Sequence, residues 1–243
     1  MQFFYIPSKM PNSDFHHHRI LPQTLNLAQA EQVLNEHFKN CVLIGVDEAG
    51  RGPLAGPVVA AAAILPCRGK LSMPNRIELP RLLNDSKKLS EKKREQIFEE
   101  LPNYCEHYSI GEASSKEIDN MGILNATFLA MRRALAPVVS QLGEKKLQYK
   151  ILVDGNLYIR EIDTALQMPI IKGDGRVACI AAASIFAKVR RDSLMREFAK
   201  KYPQYYFEKH KGYGTKAHLA AIEKNGLCEI HRRSYAPNIR FIS

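Results

Sequence analysis

Three short apolar runs in this chain end in acids: residues 41–46 in Asp47-Glu48, residues 150–153 in Asp154, and residues 168–172 in Asp174 just beyond. Each acid precedes a glycine within a few residues and has no His or Cys beside it. Carboxylates alone are hard oxygen donors, the set that suits Mg²⁺ or Mn²⁺ better than zinc. Acids brought within a few ångströms raise one another's pKa, and a divalent cation relieves that repulsion. An Asp before Gly at a strand end is equally a turn or capping residue. Each acid alone carries either reading; three of them in one basic chain favour a metal site.

Positioning these acids is the work of the elements around them. Residues 41–46 and 150–153 are rich in β-branched and aliphatic residues and read as buried strands. Set side by side, they would bring Asp47 and Asp154 together. Residues 58–65, 107–112 and 168–172 read as three further strands. Ser90 with Lys93 and Arg94 beyond it marks a helix start. Residues 115–142 form a long helical stretch, interrupted at Gly122 and broken at Pro137. Residues 177–201 are strongly helical and Ala-rich, and 216–225 form another helix. The order predicts an α/β fold: a mixed sheet flanked by helices. In it, ligands collect beyond strand ends.

Residues 1–40 read as an accessory extension, with Thr24 capping a short amphipathic helix through Lys39. His16, His17 and His18 fit a solvated loop, and 67–83 reads as an irregular insertion. Residues 41–243 form the main domain, whose part from about 193 onward is helical. No apolar run reaches the ~18 residues of a membrane span, and no secretory signal opens the chain. Cys41, Cys67, Cys105, Cys179 and Cys228 stand singly, as reduced thiols do, so a soluble cytoplasmic protein is expected. The net charge is +10, with 19 basic against 16 acidic residues in 1–150 and 16 against 9 in 151–243. The C-terminal part is therefore where a polyanion would bind, or simply a solvated basic surface.

Several motifs then follow in order. They are the run from Gly45 through Asp47-Glu48-Ala49-Gly50-Arg51-Gly52-Pro53 to Ala60, then Asn84-Asp85-Ser86-Lys87-Lys88-Leu89, Val153-Asp154-Gly155 and Lys172-Gly173-Asp174. Residues 181–192, from Ala181 to Asp192, and His210-Lys211-Gly212-Tyr213-Gly214-Thr215 with His218 complete the series. Together they resemble ribonuclease HII, from about residue 42 to residue 235. The resemblance implies the ribonuclease H-like fold with a helical C-terminal extension. It also implies hydrolysis of the RNA strand of RNA–DNA hybrids, and incision of duplex DNA containing ribonucleotides. The metal-binding catalytic acids would be Asp47, Glu48, Asp154 and Asp174, holding two Mg²⁺ or Mn²⁺ ions and leaving 3′-hydroxyl and 5′-phosphate ends.

On the substrate side, glycines let a backbone approach a sugar edge closely, and Arg51 can bind a phosphate. Gly50-Arg51-Gly52 is also a plain tight turn. The resemblance assigns it to the ribose 2′-hydroxyl, which separates RNA from DNA. It assigns Tyr213 to stacking beside that ribose at the RNA-to-DNA junction. Ser86, Lys87, Lys88, Ser184, Lys188 and Arg191 are candidate phosphate contacts, although Ser184 also suits helix packing. Asp192 reads as structural, paired with a neighbouring Arg; His231, Arg232 and Arg233 read as a basic tail without a role. A monomer is expected, with Ile239-Arg240-Phe241-Ile242 serving as a sliding-clamp docking tail or a packed terminal strand. Two alternatives are ribonuclease HIII, which places Glu at the last acidic position and a larger domain at its N-terminus, and a binding-only protein, which would not need all four acids.

Overall fold

The computed structural model describes residues 21, 25–66, 83 and 90–238. His16, His17, His18, Thr24, Ser86, Lys87, Lys88, Cys67, nearly all of the 67–83 insertion and the docking tail 239–242 lie outside the described residues.

A five-stranded sheet runs β3-β2-β1-β4-β5. Its strands are β1 Cys41–Ala49, β2 Val58–Ile64, β3 His107–Ala113, β4 Gln148–Asp154 and β5 Gln167–Ile170. β1 is antiparallel to β2, and β2 to β3, whereas β1–β4 and β4–β5 are parallel. The sheet is mixed, as the sequence predicts. Both faces are covered, so β2 is buried along its whole length and reads as a continuous Val/Ala/Ile run without alternation.

The helices are α1 Leu27–His37, α2 Glu91–Glu100, α3 Ser115–Met121, α4 Ile123–Glu144, α5 Ala178–Lys201, α6 Phe207–His210 and α7 Lys216–Asn225. α4 packs on the face carrying Val46, Ala60 and Ala62, through Met131, Leu135 and Val138. α5 covers the other face, where Ala182, Ala183, Ile185 and Phe186 meet Ala61 and Ala63. Alanines on both partners let helix and sheet approach closely. At Gly45 the approach leaves no room for a side chain, because any Cβ would run into the backbone of Cys179.

Four expectations shift. β1 continues through Asp47 and Glu48, because both residues pair with Ala61 and Ala60 of β2; the acids sit in the strand rather than beyond it. Gly122 separates two helices, whereas Pro137 lies inside α4 without ending it. β5 ends at Ile170, and Lys172 adopts a left-handed conformation. α1 is capped by Asn26, which exchanges hydrogen bonds with Gln29, so the capping box lies two residues past Thr24.

Leu21 and α1 dock on the main body. Ala30 and Leu34 pack with Leu43, Leu152 and Ile180, and Arg176 donates to the Leu21 carbonyl at 2.6 Å. Val177 gives α5 no side-chain cap. Instead the Glu31 carboxylate accepts from the amides of Ala178 at 3.1 Å and Cys179 at 3.5 Å. A helix start has unpaired amides, and a carboxylate from α1 closes this one. Burial pushes the Glu31 carboxyl up to about 7 despite those bonds.

Candidate active site

The sheet register assembles the acids. In the parallel pairing of β1 with β4, Val46 stands opposite Val153. One residue further, the same register sets Asp47 beside Asp154. Asp154 in turn pairs with Ile170 at the end of β5. Asp174 follows in the 3₁₀ turn Gly173–Gly175, and its amide donates to Asp154 Oδ1 at 3.1 Å. The acids therefore come from β1, β4 and the turn after β5.

Alternation along β1 places Asp47 on the same face as Gly45, toward α5. There the Ser184 side chain hydrogen-bonds to it, one and a half helical turns beyond Cys179. Asp47 is buried, and its pKa is pushed well above the usual carboxylate range, first by burial and then by the charges of Asp154 and Glu48. Ser184 and the Glu48 amide, 2.7 Å from Asp47 Oδ1, pull it back down. Glu48 is also raised, mainly by burial, with the Arg51 guanidinium at 3.3 Å opposing.

Like charges facing one another in a desolvated strand end are the condition a divalent cation relieves, and the all-oxygen donor set fits a hard ion. Among the described residues, no group of three His, Cys, Asp or Glu is already arranged to hold one. Glu48 is turned to Arg51, and Asp154 to the Asp174 amide.

Immediately after the acids, the chain makes the Gly50–Pro57 loop. Gly50 has φ +99°, and a Cβ there would collide with the Arg191 side chain. This loop rests on two arginines. Arg232 donates to the carbonyls of Gly50 at 2.6 Å, Arg51 at 2.9 Å, Gly56 at 3.0 Å and Pro57 at 3.3 Å. Arg191 donates to Pro57 at 3.1 Å and Ala55 at 3.2 Å. Both side chains are buried, at 0% and 1% exposure. Burial and the Arg191 charge bring Arg232 down to about 10, so both remain cationic at neutral pH. The Tyr235 hydroxyl adds a bond to the Arg51 carbonyl at 3.0 Å. An antiparallel bridge between Ala55 and His231, flanked by Gly56 N to Ile230 O and Arg232 N to Leu54 O, each 2.9 Å, seats the C-terminal segment against the loop.

These contacts correct three sequence readings. Arg232 is not a tail residue without a role but the main support of the loop. Arg191 is turned inward to carbonyls, so it is not a phosphate contact. Asp192 pairs with Lys188 at 2.8 Å, one helical turn away, rather than with an Arg. Lys188 nevertheless keeps 35% of its side chain exposed. Ser184 lies against Asp47, which packing or phosphate binding alone did not foretell. Two arginines separated by 41 positions have no common spacing signal; their joint role is visible only once the loop's carbonyls are placed.

Tyr213 comes to the same place from the C-terminal part. It is 46% exposed, and its ring edge lies 3.7 Å from where a Cβ on Gly52 would stand. Leu54 N donates to Gly212 O at 2.8 Å, joining the two loops directly. Asp47-Glu48, Gly50-Arg51-Gly52 and Tyr213 thus share one end of the sheet.

Comparison with known proteins supplies the family and the fold. The ribonuclease HII family model matches residues 44–238. A ribonuclease HII of Fusobacterium nucleatum is 51% identical over 203 residues, covering 83% of this chain and 88% of that protein. One from Caldanaerobacter subterraneus is 49% identical, covering 86% of this chain and 79% of its own length. The crystal structure of the ribonuclease H2 from Pyrococcus horikoshii superposes with a TM-score of 0.57 at 25% identity, over 81% of this chain and 96% of the other.

Proposed function

The chain belongs to the ribonuclease HII family and is an endoribonuclease, and from that premise we propose that it hydrolyses the RNA strand of RNA–DNA hybrids and incises duplex DNA at embedded ribonucleotides. Family membership sets aside the ribonuclease HIII and binding-only readings of the sequence. The observation that carries the proposal is the approach of Tyr213 to Gly52 beside the strand end bearing Asp47 and Glu48. A ribose-sensing surface is thereby joined to a cluster of acids.

In this reading Asp47, Glu48, Asp154 and Asp174 hold two Mg²⁺ or Mn²⁺ ions, with Asp47 at the centre because β1 lies between β2 and β4. When bound, such ions activate the attacking water and stabilise charge on the scissile phosphate. Ser184 favours the ionised form of Asp47 by hydrogen bonding. The backbone of Gly50-Arg51-Gly52 meets the 2′-hydroxyl, and the Arg51 side chain, half exposed, reaches a neighbouring phosphate. Tyr213 stacks beside the ribose and Lys188 contacts the phosphate backbone, a role assigned to Ser86 and Lys87 as well. The products are 3′-hydroxyl and 5′-phosphate ends. The basic excess of residues 151–243 suits a polyanionic duplex.

Among the described residues no helix is long and apolar enough to cross a membrane, and the four described cysteines are free thiols. Work in a reducing cytoplasm, in DNA replication and in the removal of misinserted ribonucleotides belongs to this proposal through the family, not through those features. The test is Mg²⁺- or Mn²⁺-dependent incision of a duplex carrying one ribonucleotide, beside an all-DNA control. Cutting confined to the ribonucleotide, with a 3′-hydroxyl on one fragment, is expected. Equal cutting of both duplexes would overturn the reading.

A further inference from the structure

Three histidines from the C-terminal part meet beneath the Tyr213 loop, and no step of the proposed reaction uses them. His210, His218 and His231 are 9%, 0% and 2% exposed. Aromatic rings enclose them. His210 stacks on His218 with centroids 4.5 Å apart, Phe207 lies edge-on to both, and Tyr205 is edge-on to His231 at 4.9 Å. In that apolar box burial lowers all three pKa values, those of His218 and His231 to about 4. At neutral pH each ring carries a single N–H.

Their partners fix where that N–H must be. His218 Nδ1 lies 2.9 Å from the Tyr213 carbonyl, which can only accept, so Nδ1 carries the hydrogen and Nε2 is an acceptor. His231 Nδ1 accepts from the Cys228 amide at 2.9 Å, so its hydrogen sits on Nε2. The two Nε2 atoms are 3.1 Å apart, and the assigned hydrogens make that contact a bond from His231 to His218. Each tautomer is dictated by a backbone group at the far side of the ring, and the two assignments agree. The result is a directed chain: Cys228 N–H to His231, His231 to His218, His218 to the Tyr213 carbonyl. The thiol of Cys228 also lies 3.1 Å from His231 Nδ1. His210 braces the same loop independently, with Nε2 2.8 Å from the Tyr205 carbonyl and Nδ1 accepting from the Gly212 amide at 3.2 Å.

We propose that His231 and His218 are positioning residues for Tyr213, holding its carbonyl through this hydrogen-bonded chain so that its ring stands over Gly52. The proposal rests on the reading of Tyr213 as the residue that senses the ribose at an RNA-to-DNA junction. Among the described residues Tyr213 is anchored through its backbone: its amide donates to His210 O at 2.9 Å, and its carbonyl accepts from Thr215 N at 2.8 Å and from His218. The ring itself is left exposed for a sugar. Loss of the relay therefore changes where the ring points while the carboxylates, on the sheet, stay in place.

The experiment compares His231→Phe, which keeps the ring and deletes the donor, with His231→Gln, whose amide can donate from the same end. The readout is kcat/KM on a duplex with one ribonucleotide against a long RNA–DNA hybrid. We expect the Phe variant to lose about tenfold on the first and less than about twofold on the second, the scale of one lost hydrogen bond. The Gln variant should return to within about threefold of wild type on the same scale. Equal losses on both substrates, or unchanged discrimination in a folded Phe variant, would overturn the proposal. If the Phe variant does not fold, the wild-type imidazole ¹⁵N spectrum decides. Two neutral rings at pH 7, His218 protonated on Nδ1 and His231 on Nε2, support the relay; a charged ring or either opposite tautomer rejects it. A wild-type enzyme that cuts no ribonucleotide duplex refutes the functional reading itself, a result distinct from the relay's failure.

Discussion

The two halves of the site are built in opposite ways. On one side, Asp47, Asp154 and Asp174 are placed by backbone: adjoining parallel strands and a short turn bring them together, and the charges of Asp154 and Glu48 oppose that of Asp47. On the other, the Gly50–Pro57 loop and Tyr213 have no sheet to hold them. They are held by buried side chains, Arg191 and Arg232 on five carbonyls and His218 on a sixth. The first half is destabilised by its own chemistry, while the second is stabilised by polar groups that take no part in the reaction. Charge removal should therefore have opposite consequences on the two sides.

The largest effect belongs to the acids. Asp47→Asn deletes the central carboxylate while keeping its shape and the Ser184 contact. Cleavage should fall roughly 10³-fold or more, equivalent to about 4 kcal/mol of transition-state stabilisation. Duplex binding should stay close to wild type, and thermal stability measured without divalent ions should hold or rise, since a desolvated, repelled charge has gone. A clear drop in stability would break the contrast between the two halves.

Arg232→Met tests the other half. It takes the Arg232 donor from four buried loop carbonyls, of which Pro57 keeps Arg191 and Arg51 keeps Tyr235, and should lower stability by about 3 kcal/mol in urea unfolding. Relief of the charge that Arg191 places on Arg232 offsets a small part of that loss. Arg232→Lys, with one point of charge in place of a fork, should recover less than half. A neutral outcome for the Met variant would mean that Arg191, Tyr235 and the bridge at Ala55 and His231 suffice to hold the loop.

Those contrasting supports also explain what could be read from sequence. The acids were legible because an apolar run ending in Asp has a local signature, and strand pairing converts three such endings into one cluster. Gly50-Arg51-Gly52 and Tyr213 were legible as motifs. Arg232 was not, because a buried Arg bonded to carbonyls has the same letters around it as a solvated one. Its role depends on which backbone oxygens face it, 175 to 182 positions away in the chain. Pro137 was misread for the opposite reason: a local rule about proline gave way to an amphipathic helix whose buried face runs on to Val138 and Leu142. Glu31 leaves no such mark in the sequence, because a cap supplied by a different helix has no short-range pattern.

Glu31 provides the next test, since it braces α5 and through α5 the half carrying the acids. Its carboxyl, raised to about 7 from 4.5, contributes stability that is fully present below pH 4.5 and is lost as pH rises through 7. Glu31→Gln removes this dependence. The stability difference between variant and wild type should move in the variant's favour by about 1–2 kcal/mol between pH 5 and pH 8. His218 and His231 act in the opposite sense. Their depressed values, about 4, withdraw stability as pH falls below 6.5. The Gln variant should therefore show a steeper loss toward acid than wild type, and a parallel pair of curves would remove Glu31 as the source.

The smallest effect is the most discriminating, because Ser184 faces both halves. As a support for Asp47 it acts on ion binding; as a phosphate contact it acts on duplex binding. The hydrogen bond from its side chain lowers the Asp47 pKa against burial and against Asp154, so its first duty is to the carboxylate. Ser184→Ala should reduce activity by no more than about tenfold, the scale of one hydrogen bond to a charged group. That loss should appear as a raised Mg²⁺ requirement, with added Mg²⁺ restoring most of the rate while KM for the duplex changes little. Ser184→Thr, which keeps the hydroxyl, should need no extra ion. A loss that Mg²⁺ cannot restore, carried by a higher KM for the duplex, would move Ser184 from the side of the acids to the side of the substrate.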